Sequence, residues 1–259
     1  MEDPRSRLPD LRRLCGDPAG KRESDEAFCP LRALRSGGLH ELHSPRGSHG
    51  PLALHMAARE ERSLVWVQDA LSVLELGAIS GRGLSVWGLD HRSLIRVRAR
   101  RPVDALWTME EAVAAGLDVI GEIEGDPRAL DFTATRRLAL RAQASRVTCV
   151  LVRLGGRASV ARSSGARWRW SVRPSRSQPD PFDALAPGLP RWSLEMRRAP
   201  SRPPEEWVIE TVARDDPAKG RAAHRLRVVS PLAAGKLAEV AAGEGTGAII
   251  LPFPGALRA

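Results

Sequence analysis

The sequence contains one segment whose residues and spacing could hold a phosphate group. It reads Ser44-Pro45-Arg46-Gly47-Ser48-His49-Gly50-Pro51, follows an apolar stretch, and precedes a helical pattern with proline at a first-turn position. Backbone N–H groups at a strand–loop–helix junction point toward a bound anion, and the helix dipole favours its negative charge. We therefore expect a phosphate loop at residues 44–51.

This loop lacks the groups that nucleotide hydrolysis requires. A working loop, G-x-x-x-x-G-K-[ST], uses its lysine on the outer phosphates and its hydroxyl on magnesium. No lysine occurs between Lys21 and Lys219, and Pro51, which has no N–H to donate, stands where the hydroxyl is needed. Arg46 can contact an anion but does not reproduce the lysine's geometry. The sequence thus predicts a degenerate loop, no catalytic residue and no cofactor, with weak nucleotide binding as an alternative.

A basic segment with two tryptophans is the strongest candidate for a contact surface. Trp168 and Trp170 alternate with Arg167 and Arg169, so in a strand the tryptophans face the core and the arginines face solvent. Guanidinium groups neutralise phosphates, and an indole can stack on an unpaired base. The candidate contact residues are Arg153, Arg157, Arg162, Arg167 and Arg169. Contact with DNA, docking of a protein, and a solvated basic face all stay open.

Neither the histidines nor the cysteines have the spacing of a metal site. Four histidines lie close together in the sequence: His40, His43, His49 and His55. The first two are three residues apart on a predicted strand, which does not bring both rings to one helical face. The three cysteines form no C-x-x-C pair, so neither a thiolate zinc site nor a disulfide framework is expected.

Composition limits the class of protein. The chain has 259 residues, of which 42% are hydrophobic, and a net charge of +9. No apolar run approaches the roughly 18 residues of a membrane span, and the charged first residues do not form a signal peptide, so we expect a cytoplasmic protein with no membrane partner. The arginine excess reflects either a biased genome or a surface for phosphate backbones.

Apolar runs alternate with helical patterns in the middle of the chain. Strands are expected at 64–67, 91–99, 117–123 and 147–154, with helices at 51–62, 102–115 and 129–144. This alternation predicts an α/β fold with a mostly parallel sheet. Short strands at 168–172, 192–196 and 207–212, with no helix between them, predict an antiparallel extension. We divide the chain into an N-terminal arm (1–36), a core (37–212) and a C-terminal tail (213–259).

Several runs resemble, in order, the core of RecA-family recombinases. Glu41-Leu42-His43-Ser44-Pro45 resembles the start of a RecA phosphate loop, E-I-Y-G-P-x-x-S-G-K-T-T. Asp118-Val119-Ile120 resembles the start of the Walker B strand, and this register places Ile123 where the carboxylate belongs. Other runs, at 64–70, 147–154, 163–170, 191–198 and 207–210, resemble the remaining core strands. The resemblance implies a degenerate RecA-like three-layer core over residues 37–212.

The acidic residues Glu122, Glu124 and Asp126 admit two interpretations. Carboxylates at the end of a buried strand can hold magnesium through water. In the RecA register, however, Glu122 or Glu124 could take that role only after a shift along the strand. We therefore interpret the three residues as a solvated turn before the helix at 129–144.

Within the RecA-like proteins, the chain resembles the ImuA family of inducible mutagenesis. The resemblance rests on Gly38-Leu39-His40-Glu41-Leu42, the run 125–138, the arginine–tryptophan run 166–170, and the pair Trp192 and Trp207. It implies a protein that does not recombine DNA and acts in the SOS response. The implied partners are ImuB, a catalytically inactive Y-family polymerase homologue, and an error-prone replicative-type polymerase.

The resemblance and the degenerate loop together predict a non-catalytic adaptor of damage-induced translesion DNA synthesis. The adaptor would link the ImuB-type factor, the error-prone polymerase, and in addition RecA or single-stranded DNA. Two alternatives stay open. The chain could be a weak RecA-superfamily ATPase that uses Arg46 or a residue of a neighbouring subunit, or a single-stranded-DNA-binding protein whose affinity falls steeply with salt.

Overall fold

One mixed sheet organises the chain. The computed structural model describes residues 28–44, 47–59, 62–155, 163–177, 179–180, 182–183, 185–216 and 221–232. Within these ranges nine strands form the sheet: β1 (Gly38–Ser44), β2 (Leu64–Asp69), β3 (Leu94–Ala99), β4 (Asp118–Glu124), β5 (Thr148–Leu154), β6 (Trp168–Ser175), β7 (Arg191–Arg198), β8 (Glu205–Asp216) and β9 (Arg221–Leu232). Their spatial order is β3-β2-β4-β5-β1-β6-β7-β8-β9.

The sheet is parallel on one side and antiparallel on the other. Strands β3, β2, β4, β5, β1 and β6 pair in parallel. Strands β6 to β9 then pair antiparallel, as expected from the short strands without intervening helices. Because the carboxyl ends of β1, β2, β4 and β5 meet at one edge, side chains at these ends are brought together.

Helices cover both faces of the parallel part. They are α1 (Pro30–Ala33), α2 (Gly50–Ala57), α3 (Ala70–Leu76), α4 (Gly81–Val86), α5 (Pro102–Ala114) and α6 (Phe132–Ser145), with a short 3-10 turn at His91–Ser93. Leu31, Leu52 and Met56 of α1 and α2 belong to the core on one face. Met109 and Leu138 of α5 and α6 belong to the core on the other. The predicted three-layer α/β architecture is therefore confirmed.

Local sequence explains the two long helices. Helix α5 has proline in its first turn and Asp104 near the positive end of the helix dipole. Helix α6 is capped by Asp131, whose side chain accepts a hydrogen bond of 2.8 Å from the Ala134 N–H. Helix α5 packs closely on β4, where a Cβ atom at Gly121 would overlap the side chain of Met109. That contact explains a glycine within an otherwise apolar strand.

The sheet extends past residue 212, where no further strand was predicted. Strand β9 pairs with β8 along its length, and Leu226 is fully buried. At the other end, Leu31 and Leu34 of the predicted arm are fully buried beside the sheet. Residues 1–27 of the arm and 233–259 of the tail lie outside the described residues. None of the helices in the described ranges is long and apolar enough to cross a membrane.

Candidate functional site

The predicted phosphate loop lies at the carboxyl edge of the sheet. Strand β1 ends at Ser44 and helix α2 begins at Gly50, so the loop has the expected strand–loop–helix setting. His49 is the N-cap residue, but its side chain makes no capping hydrogen bond with the helix. Of the predicted loop residues, the structure describes Ser44, Gly47, Ser48, His49, Gly50 and Pro51, whereas Pro45 and Arg46 lie outside the described residues.

The ring of His49 turns instead toward a buried carboxylate on β4. His49 Nε2 donates to Glu122 Oε1 at 3.0 Å. Trp66 Nε1 donates to the same oxygen at 2.7 Å, and Gln68 Nε2 donates to Oε2 at 2.8 Å. Glu122 and its three donors are all buried. Each oxygen of this carboxylate thus accepts at least one hydrogen bond from a buried side chain.

This arrangement keeps Glu122 ionised. Burial by itself would raise the pKa of Glu122, but the hydrogen bond and charge of His49 and the hydrogen bonds from Gln68 and Trp66 lower it below its usual range. Each carboxylate oxygen already accepts from a buried donor. A magnesium-bound water, the usual ligand of such a carboxylate, would have to share these oxygens with donors that are already in place.

The interpretation of Glu122 and Glu124 as part of a solvated turn is wrong. Strand β4 continues through Glu124, and both side chains are buried, so the turn begins only after them. Ile123 is fully buried on the opposite face, in the core beneath α5 and α6. Alternation along β4 places Glu122 and Glu124 on the face opposite Ile123, and Glu122 is the one that bonds His49 of the loop.

A second buried carboxylate, Glu41, lies on β1 near the same edge. Arg153 Nη1 donates to Glu41 Oε1 at 2.8 Å, Arg169 Nε lies 3.3 Å from Oε2, and His43 Nε2 lies 3.1 Å from Oε1. Burial would raise the pKa of Glu41, but hydrogen bonds from His43 and Ser164 and the charge of Arg169 hold it well below its usual range. The side chain of Glu41 therefore pairs with arginines on both strands that flank β1.

The predicted contact arginines differ in exposure, because Glu41 binds two of them. Arg153 is buried, with only 4% of its side chain exposed, and it pairs with Glu41 and Asp126, so it is not presented to DNA. Arg169 is mostly buried against Glu41. Arg167 is exposed. Arg157 and Arg162 lie outside the described residues, so the basic surface that the structure describes is smaller than predicted.

Trp170 is a core residue, as alternation along β6 predicts. It is fully buried, and its Nε1 donates to His40 Nδ1 at 3.2 Å. Trp168 is half-buried, and its ring stacks on that of Trp170 with centroids 5.6 Å apart. Neither indole is free on the surface to stack on a base. The described ranges also contain no group of three His, Cys, Asp or Glu side chains arranged to hold a metal ion.

Sequence reasoning missed the partners of Glu122. Trp66 and Gln68 were assigned only to a buried strand, and His49 only to the loop. A signal was present in Gln68, since a polar side chain next to the end of an apolar strand needs a hydrogen-bond partner when it is buried. Which partner it finds depends on the pairing of β2 with β4, which places Gln68 opposite Glu122.

The architecture defines an α/β protein in which the predicted phosphate loop is hydrogen-bonded, through His49, to a buried carboxylate of the sheet. Over 245 residues the chain is 27% identical to Protein ImuA of Caulobacter vibrioides, in two strains. The similarity covers 88% of this chain and 94% of the relative. The resemblance to the ImuA family is thereby confirmed.

Two further comparisons add no functional information. No family model matches the chain. The solved structure of SulA from Pseudomonas aeruginosa aligns with a TM-score of 0.34 and 22% identity, over 45% of this chain and 98% of that one. A TM-score this low does not define a common fold.

Proposed function

We propose that this protein is a non-catalytic accessory protein of inducible mutagenesis. It would act as an adaptor that holds an ImuB-type factor and an error-prone polymerase together during damage-induced translesion synthesis. Contact with a RecA filament or single-stranded DNA is a further part of this proposal. Of the candidate arginines that the structure describes, Arg167 is the exposed one that would make such a contact.

The hydrogen bonding of Glu122 is the observation that supports the non-catalytic part of the proposal. Phosphoryl transfer needs a lysine on the outer phosphates and a carboxylate that orders magnesium. Here α2 begins with Gly50 and Pro51, and Glu122 is held by His49 and two other buried donors. A nucleotide in the loop would have no lysine beside its outer phosphates. The nearby carboxylate, Glu122, already accepts three hydrogen bonds.

The similarity to Protein ImuA supports the adaptor part. It extends over most of both chains, so it is not confined to the predicted phosphate loop. A fold that has lost its chemistry but keeps its core retains surfaces on which partners can dock. Fold alone does not determine function, so the proposal depends on a test of partners as well as of catalysis.

We expect the purified full-length protein to hydrolyse no ATP in the presence of magnesium. Phosphate release should equal that of a Glu122→Gln variant, because neither protein positions magnesium or the outer phosphates. Arg46→Ala provides a second comparison, since it removes the arginine that a weak ATPase could use. Magnesium-dependent turnover that persists through purification and disappears in Glu122→Gln would overturn the non-catalytic proposal.

Capture from DNA-damaged cells tests the adaptor. We expect the tagged full-length chain to retain the ImuB-type factor and the error-prone polymerase, with more of each after damage than before it. A chain truncated after residue 232 tests the tail, since this cut keeps β9, which pairs with β8 in the sheet. Retention of neither protein by the full-length chain would reject the adaptor proposal.

A further inference from the structure

A pocket lined by arginines lies at the amino edge of the sheet, opposite the phosphate loop. It forms where β1, β4 and β5 begin and has a volume of about 410 Å³. Its lining residues are Arg35, Gly37, Arg59, Arg62, Asp118, Arg146 and Thr148. Four guanidinium groups thus surround one carboxylate. The lining of the pocket is therefore strongly basic.

Hydrogen bonds fix the floor of this arginine pocket. Arg59 donates to the backbone oxygens of Met56 at 2.7 Å and Arg35 at 2.9 Å, and to Thr148 Oγ1 at 3.1 Å. Asp118 accepts from the Thr148 N–H at 2.7 Å. Arg59 is therefore a structural cation at the base, while Arg62 and Arg146 are exposed at the rim.

The arginines at the pocket oppose one another electrostatically. Burial, together with the charges of Arg35 and Arg62, lowers the pKa of Arg59 to about 10, and Asp118 acts in the opposite direction. Guanidinium groups that lie close together repel one another, and an anion bound between them offsets this repulsion. A phosphate offers oxygens that the forked guanidinium groups can bind in pairs.

A second pocket adjoins the first and is more apolar. It has a volume of about 470 Å³ and shares Gly37 and Arg146 with the arginine pocket. Its apolar wall is formed by Leu39, Ala139, Leu140 and Ala142, and its polar groups come from Arg136, Gln143 and Arg167. Gly38 has a φ of +97° at this wall, a conformation that glycine adopts without strain.

We propose that the two pockets together bind a nucleoside phosphate, with the phosphate among the arginines and the ring in the apolar pocket. The polar groups of the second pocket can hydrogen-bond the edge of a base, and a guanidinium plane can stack on its face. The summed size lies within the range of pockets that hold small ligands. The nucleotide is either free or the terminal nucleotide of a DNA strand.

Calorimetric titration of the full-length protein with dAMP, without magnesium, tests this site. We expect dAMP to bind at least about 10-fold more tightly than deoxyadenosine or inorganic phosphate alone, since each of these fills only one pocket. Arg62→Ala and Arg146→Gly should each weaken dAMP binding about 5- to 10-fold, as loss of a charged hydrogen-bond partner does. Arg146 has a φ of 55°, so glycine there keeps the fold.

Arg100→Ala is the matched control, because Arg100 is exposed at the opposite edge, just after β3. Equal effects of Arg62→Ala, Arg146→Gly and Arg100→Ala would overturn the proposal, as would equal affinities for dAMP and inorganic phosphate. Oligonucleotides with a 5′-phosphate or a 5′-hydroxyl separate the two sources. Tighter binding of the phosphorylated strand than of dAMP assigns the site to a strand end, and the reverse assigns it to a free nucleotide.

Discussion

Lowering the pH from 6.5 to 4 is expected to reduce the free energy of unfolding by about 5 kcal/mol, that is, about 2.6 kcal/mol for each of two buried histidines. Burial lowers the pKa of His40 and of His55 to about 4. In the unfolded chain both rings titrate near 6.5, so the unfolded state binds more protons throughout this window. Stability is therefore complete above pH 6.5 and falls as the pH approaches 4.

The contacts of His40 explain why its ring resists a second proton. Its Nε2 lies 2.7 Å from the Ser36 carbonyl oxygen and donates to it. Its Nδ1 accepts the N–H of Trp170, so a proton on Nδ1 would face another donor. His55 Nε2 likewise donates to the Leu31 carbonyl oxygen at 3.1 Å. The charges of Arg59 near both rings, and of Arg35 near His55, oppose protonation further.

Urea unfolding at several pH values between 7.5 and 4.5 measures this effect. The slope of the free energy against pH should approach two protons, or about 2.7 kcal/mol per pH unit, between the two pKa values. His55→Gln should reduce that slope to about one proton, whatever its effect on stability at pH 7.5. A slope that His55→Gln leaves unchanged would contradict the assignment. Below pH 4.5, protonation of Glu41 and Glu122, whose pKa values are lowered, adds to the loss.

The buried parallel strands were predictable because they are apolar on both faces. Strands β2, β4 and β5 are buried along their whole length, which matches a parallel sheet covered by helices on both sides. Strand β9 was not predicted, because Arg221, His224, Arg225 and Arg227 interrupt its apolar residues. It is held by backbone pairing with β8 and by the ion pair of Arg227 with Glu210. In the sequence, Pro217-Ala218-Lys219-Gly220 has a composition typical of turns.

The candidate site was only partly predictable for a physical reason. The missing lysine and Pro51 are visible in the sequence itself. The hydrogen bond between the loop and the sheet joins His49 to Glu122, which are 73 residues apart in the sequence. These two residues meet only because the strands pair as they do. Arg153 gave a clearer signal, since a charged residue within a buried strand requires a partner. Its position therefore favoured an internal ion pair over a DNA contact.

Glu41→Ala is expected to destabilise the protein by about 3–5 kcal/mol, the usual effect of removing one partner of a buried ion pair. The substitution leaves the guanidinium of Arg153 buried with only Asp126 as a partner. It also removes the carboxylate next to Arg169 and His43. Urea unfolding at pH 7.5 measures the loss, and the transition midpoint should fall while its slope stays the same.

Two further variants separate the loss of a buried ion pair from the loss of one negative charge. Glu111 is about half exposed and lies 3.4 Å from Arg141, so Glu111→Ala should cost no more than about 1 kcal/mol. Combining Glu41→Leu with Arg153→Met replaces the pair by apolar side chains and should recover most of the stability lost in Glu41→Ala. If Glu41→Ala costs as little as Glu111→Ala, Glu41 does not stabilise the carboxyl edge of the sheet. If the double variant recovers nothing, the loss comes from packing around Glu41 and not from the unpaired Arg153.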